Sequence, residues 1–157
     1  MAALPHLGIG FATKRWAPNV PTIILLLAPL LLDLLAMVFD FLHIEKPDQV
    51  VWTHSLFMAV IWSILFGLFI LLFYRDWKIC LVVCLLIFSH WIVDFITWPM
   101  TAVFPRATGV PIFMDNSRLV GLGLYKTLGA VIFTETMVPL LGVMLFIRYQ
   151  KTNKARP

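Results

Sequence analysis

Apolar positions run through this chain in four long blocks, separated by short segments that carry most of its prolines and basic residues. A helix crossing a bilayer needs about 20 mostly apolar residues. The stretches Pro21 to Leu42, Val51 to Phe73, Ile79 to Trp98 and Leu122 to Ile147 each meet that requirement and predict transmembrane helices. Met1 to Ala12 is apolar but too short to span, so it is expected to lie at the interface or to dip partway in. The pattern predicts an all-α integral membrane helical bundle of about four transmembrane helices. Its parts are an N-terminal interfacial segment (1–20), a four-helix domain (21–149) and a basic tail (150–157). No internal repeat is visible. The first long apolar run carries Asp33 and lacks a small-residue cleavage site, so it is expected to stay in the mature protein.

Composition narrows the class. Hydrophobic residues make up 61% of the chain and charged residues 13%, against roughly 45–50% and about 25% in soluble domains. With a mean hydropathy of +0.94, too little polar surface remains to coat a soluble particle of this size. The net charge of +4 is spread over short loops and the C-terminus and forms no stripe of the kind nucleic acid requires. Basic residues in short loops orient a membrane protein. With the N-terminus cytoplasmic, that side holds Lys14, Arg15, Arg75, Lys78, Arg148, Lys151, Lys154 and Arg156, and the other side holds Lys46, Arg106 and Arg118. Eight against three predicts a multi-pass protein with both termini cytoplasmic. The Pro-rich loop from Pro99 to Leu119 is then expected over the outer face. Cys80 and Cys84, four apart in an apolar run, read as small hydrophobes on one helix face.

Against this background the ionisable residues inside the blocks stand out. Asp33, Asp40, Asp94, Glu135, His54 and His90 all fall within predicted spans. An ionised Asp at a helix centre costs about 2.5–3.5 kcal/mol, so these groups must be neutralised, paired or coordinated. His90 and Asp94, spaced i and i+4, share a helix face. Asp40, His54, His90 and Asp94 lie in the outer half of the predicted bundle, within roughly 12 Å of its boundary at 1.5 Å rise per residue. Asp33 and Glu135 are deeper, and a polar funnel open to the outer side would accommodate all six. Pro29 and Pro139 sit inside helices, where a proline frees the carbonyl four residues earlier, here those of Leu25 and Glu135.

Imidazole and carboxylate together suit zinc and related divalent metals. His54, His90 and Asp94 supply a three-ligand set, with Asp33 or Glu135 as fourth ligand or general base. The plainer reading makes His90–Asp94 an intrahelical hydrogen-bonded pair and His54 an interfacial residue. Asp40 and His43, near a helix end, read as structural. Ser55 and Ser89 flank the histidines and read as ordinary helix hydrogen-bonding residues more readily than as nucleophiles. Gly121 and Gly123 read as packing or turn positions, and His6 has no assignable partner.

Two short motifs, Thr53-His54-Ser55-Leu56 and Ser89-His90-Trp91-Ile92-Val93-Asp94, resemble those of the predicted membrane-bound metal-dependent hydrolases, a family of bacterial inner-membrane proteins. His6 in PHLGIGF and Asp33 in APLLLD resemble that family's early His segment and helix acidic residue. A group of small bacterial membrane proteins is more similar still. Its motifs recur in the same order here as His6 to Lys14, Glu45, His54 to Leu56, Ser89 to Asp94, and Gly121 to Leu124 with Glu135. The chain departs from these patterns at Ala36, where the hydrolases have a second Asp. It departs again near Val50 and Val51, where they have a His-Arg pair, and at Thr97-Trp98-Pro99-Met100, where the closer group has His-Arg-Pro-Asp.

The leading expectation is therefore a metal-dependent hydrolase of the inner membrane, acting on a lipid or lipid-linked substrate. His54, His90 and Asp94 would hold a divalent metal, zinc first. Asp33 would complete the ligand set or orient a histidine, and Glu135, with Asp33, would serve as catalytic acid or base. Two other expectations remain open. One is a non-enzymatic proton or cation path along the acidic residues. The other is a helix-packing subunit in which the polar groups join helices.

Overall fold

The computed structural model describes residues 3–45, 51–103, 108–114 and 117–154. Lys46, Arg106 and Arg156 of the orientation count, and Val50 of the motif comparison, lie outside them. The described chain is helical apart from one two-stranded hairpin: α1 (Ala3–Thr13), α2 (Thr22–Leu27), α3 (Leu31–Phe41), α4 (Val51–His54), α5 (Leu56–Tyr74), α6 (Trp77–Thr97) and α7 (Leu128–Lys154). Four segments are long and apolar enough to cross a membrane: Thr22–Phe41, Leu56–Tyr74, Trp77–Thr97 and Leu128–Asn153. The all-α bundle expected from the apolar blocks is what forms.

The differences from the expected spans are local and each has a cause. The first span is interrupted by a 3-10 turn at Ala28–Leu30, because Pro29 has no N–H to continue the α-helical ladder. The second is split at Ser55, whose extended backbone (φ −67°, ψ 148°) ends α4. Its Oγ accepts from the Met58 amide at 3.2 Å and so caps α5. The fourth begins at Leu128 instead of Leu122, since Gly123 takes a left-handed φ of 74°. That turn places the Gly123 amide 2.7 Å from the Trp98 carbonyl and the Leu122 amide 2.8 Å from that of Phe95. Arg75, left-handed, closes α5, and the Asp76 carboxylate caps α6 by accepting from the Lys78 and Ile79 amides. This two-residue connection makes α5 and α6 antiparallel neighbours.

α6 is the most enclosed of the spans. Val83, Leu86, Ile87 and Trp91 on it pack with Leu25 and Leu32 of the first span and Ala59 of α5. Cys80 and Cys84 are free thiols at the α5–α6 contact.

α1 does not lie apart from the bundle. It packs against α7 and also touches α2, α6 and the 3-10 turn. Gly8 and Gly10, two apart, point to opposite sides of the helix, and each lets a proline-disturbed segment approach. A Cβ on Gly8 would sit 2.6 Å from the Val138 carbonyl oxygen beside Pro139, and one on Gly10 would sit 2.5 Å from the Leu25 carbonyl oxygen. The latter is the carbonyl that Pro29 deprives of its amide partner. α1 is thus wedged between the interrupted first span and α7 at its proline, and His6, one turn before Gly10, is driven fully inside.

The loop expected over one face does pack against the end where α5 begins and α6 finishes. Its hairpin pairs Val110 with Val120 and Pro111 with Leu119, and the Phe57 amide donates to the Ile112 carbonyl at 3.2 Å.

Gly8→Leu should lower the thermal midpoint in detergent, followed by circular dichroism, since overpacking a close contact costs about 1–3 kcal/mol. Gly129→Ala, where an added Cβ meets nothing within 4 Å, should leave it unchanged.

Candidate metal centre

Five ionisable side chains from four helices meet at this end of the bundle. His6 comes from α1, Asp33 from α3, His54 from the last position of α4, and His90 and Asp94 from one face of α6. Their exposures are 0%, 8%, 5%, 1% and 3%. The site is therefore enclosed and not the open funnel that the sequence suggests, since α1 packs against α6 and the 3-10 turn, and the hairpin packs against α4.

The ring contacts fix which nitrogen of each histidine faces inward. His90 Nδ1 lies 2.6 Å from the Pro29 carbonyl oxygen. A carbonyl only accepts, so Nδ1 carries a proton, and in the neutral ring Nε2 turns its lone pair to the centre. Pro29 can serve in this way because the 3-10 turn re-aims its carbonyl away from the helix axis. His54 is held by a longer relay. Glu45 Oε1 accepts from the Trp52 amide at 2.7 Å, and its Oε2 accepts from the Thr53 hydroxyl at 2.9 Å. With its only proton given to Glu45, Thr53 Oγ1 must accept from His54 Nδ1, 2.9 Å away. His54 Nε2 therefore also presents a lone pair. Burial raises the Glu45 carboxyl above its ordinary range, and both donors work against that shift.

With both rings neutral, the inward atoms are acceptors throughout. His54 Nε2 lies 3.3 Å from His90 Nε2 and 3.2 Å from Asp33 Oδ1, which is 3.6 Å from His90 Nε2. Asp94 Oδ2 is 3.3 Å from His90 Nε2 and 3.8 Å from that of His54. Donors bound 2.0–2.2 Å from one tetrahedral ion stand about 3.3–3.6 Å apart. The Asp33–His54–His90 triangle has those dimensions, and such outer partners as Pro29 and Thr53–Glu45 are what aligned histidine ligands carry. The residues present can hold a divalent metal, and nothing in their geometry names which one.

His6 was given no site role by the sequence reading. It stacks on His90, ring centroids 4.0 Å apart and planes 7° from parallel, with Nε2 3.9 Å from Asp94 Oδ1. Neither ring nitrogen has a hydrogen-bond partner among the described residues. Burial, then the nearby His90, pulls its pKa down to about 3, so the ring is neutral. The other omission is Glu45. Short spacing patterns could not find either one, because α1 is too brief to read as a bundle helix and Glu45 acts through Thr53. Their recurrence in the ordered motifs was the available signal.

Other expected residues lie elsewhere. Glu135 is half-buried, accepts from the Tyr125 hydroxyl at 2.9 Å and belongs to neither group of clustered ligand atoms. Asp40 and His43 are exposed. Ser55 serves as a cap, and Ser89 Oγ donates to the Leu86 carbonyl within its own helix.

Fold and site together define a membrane-type helical bundle enclosing a histidine–carboxylate cluster that can hold a metal. No family model matches the chain, and no curated protein and no solved structure matches it.

In metal-free protein, 15N spectra of labelled histidines should show His54 and His90 protonated on Nδ1, with the His90 proton slow to exchange. An Nε2–H tautomer at either would refute the relay.

Proposed function

We propose that this protein is a membrane-embedded, divalent-metal-dependent hydrolase acting on a lipid or lipid-linked substrate. One observation carries the reading: Asp33, His54 and His90 set three donors 3.2–3.6 Å apart, both rings turning lone pairs inward. Two imidazolium Nε2–H groups at that separation would instead repel by several kcal/mol in a poorly solvated interior. A bound divalent ion supplies Lewis-acid polarisation and a water acidic enough to be a nucleophile at neutral pH. Asp94 and Asp33 balance the charge. Glu45 and Thr53 orient His54, and Pro29 orients His90.

The lipid assignment rests on where the cluster sits. An apolar cleft of about 250 Å³ runs between α2–α3, α5 and α6, lined by residues that include Leu27, Leu31, Phe66 and Phe69. Its inner residues Ala28 and Ile87 adjoin Pro29 and lie one turn from His90. An acyl or isoprenoid chain fits such a wall. The resemblance to bacterial inner-membrane hydrolases and the basic-residue count support an inner-membrane protein with cytoplasmic termini. Asp33 and Asp94 meet at one point instead of being strung across the span, which favours a centre over a proton path. Glu135 with Tyr125 takes no ligand part in this reading.

Elemental analysis of detergent-purified protein, prepared without chelators, should find about one tightly held metal equivalent, lost in His54→Ala and His90→Ala. A folded wild type without metal removes the proposal and leaves the packing reading. Glu45→Gln, which weakens the relay behind His54, should lower metal affinity about 10–100-fold, measured by competition with a chromogenic chelator. Unchanged affinity would rule out the relay's role.

A further inference from the structure

Resting on that reading of the Asp33–His54–His90 site, we propose that His6 and Asp94 Oδ1 form a second divalent-cation site, bridged to the first by the Asp94 carboxylate. The ring stack carries the argument. An imidazole nitrogen binds an ion along its lone pair, in its own ring plane. The His6 and His90 rings are 7° from parallel with centroids 4.0 Å apart. An ion in the His90 plane therefore lies nearly a full stacking distance out of the His6 plane, so His6 cannot ligate it. His6 addresses a second point, displaced by up to the same separation.

That displacement has the scale of two-metal hydrolytic sites, whose ions stand about 3.5–4 Å apart. Asp94 is placed to span it. Its Oδ2 faces His90 and His54 at 3.3 and 3.8 Å, while its Oδ1 faces His6 at 3.9 Å. His6, His90 and Asp94 offer ligand atoms within 4.8 Å of one another, as do Asp33, His54 and His90. His6 brings the independent indication. It is fully buried and leaves both ring nitrogens without a hydrogen-bond partner among the described residues, a costly arrangement for a polar side chain. Coordination relieves that cost. The second ion is the weaker one, because two carboxylates already neutralise one divalent charge and only His6 and Asp94 hold it from the protein.

The test is equilibrium binding of Mn²⁺ to detergent-purified protein, with electron paramagnetic resonance of the loaded wild type. The expected result is two equivalents in the wild type, one tight and one weaker, with a spin-coupled pair signal. His6→Gln should lose the weaker equivalent and the coupled signal and keep the tight one, while His54→Ala loses the tight one. Saturation of the wild type at one equivalent, with no coupled signal and no effect of His6→Gln, overturns the second site and leaves the proposed function standing. No bound metal in folded wild type overturns both. The wild-type spectrum needs no variant to fold, so the conclusion does not hang on the stability of His6→Gln.

Discussion

With both histidine rings neutral, four hydrogen-bond acceptors crowd together in an apolar surrounding with no donor among them, and the helices around them are arranged to hold them there. The Nε2 atoms of His54 and His90 each lie 3.2–3.8 Å from the other and from a carboxylate oxygen of both Asp33 and Asp94. In a poorly solvated interior, electrostatic terms are strong and an uncompensated acceptor is costly. Only positive charge at the centre relieves this. The Nδ1 protons are spoken for by Pro29 and Thr53, so a proton supplied to one Nε2 offsets only one of the two carboxylates, and supplying a second charges both rings 3.3 Å apart. A divalent ion does so without like charges in contact.

Two irregularities in the helices, at Pro29 and Ser55, serve this centre. A continuous α-helix through residue 29 would direct its carbonyl along the axis, and His90 would lose its anchor. A continuous helix through Ser55 would carry His54 onward in α5, away from the Thr53–Glu45 relay. The chain is broken at both places, by proline and by a serine cap. α1 fills the space between the two proline-disturbed helices by presenting Gly8 to one and Gly10 to the other. Non-helical backbone at membrane depth is tolerated only where protein or a cavity borders it, and here the border is α1. The segment that covers the breaks is also the one that delivers His6.

Much of this was legible from the sequence. Four apolar blocks gave the spans, and the cost of burying charge singled out Asp33, His54, His90 and Asp94, which do meet. Depth, the nearby Pro139 and the ordered motifs all point to Glu135, but none of them fixes rotation about the helix axis, and the side chain turns to Tyr125 instead. His6 and Glu45 were illegible for a related reason. Their placement depends on how α1 wedges and on where the chain folds back after α3, which are tertiary facts that no local period encodes. Proline supplied a partial clue. The sequence pointed to the Leu25 carbonyl freed by Pro29, whereas the carbonyl used at the site is that of Pro29 itself, re-aimed by the 3-10 turn.

Under the proposed function, enclosure also bears on how a substrate would arrive. On the side where α5 begins and α6 ends, α1 and the hairpin loop leave none of the five ionisable residues more than 8% exposed. The apolar cleft between α2–α3, α5 and α6 opens along the flank instead. A water-soluble substrate would have to displace packed helix and loop to reach the carboxylates. A lipid can lay its chain along Leu27, Leu31 and Phe69 and bring its polar end toward Ala28 and Ile87, one turn from His90. Asp33 is the most accessible of the five, so its side of the cluster is where such a polar end first meets a ligand residue.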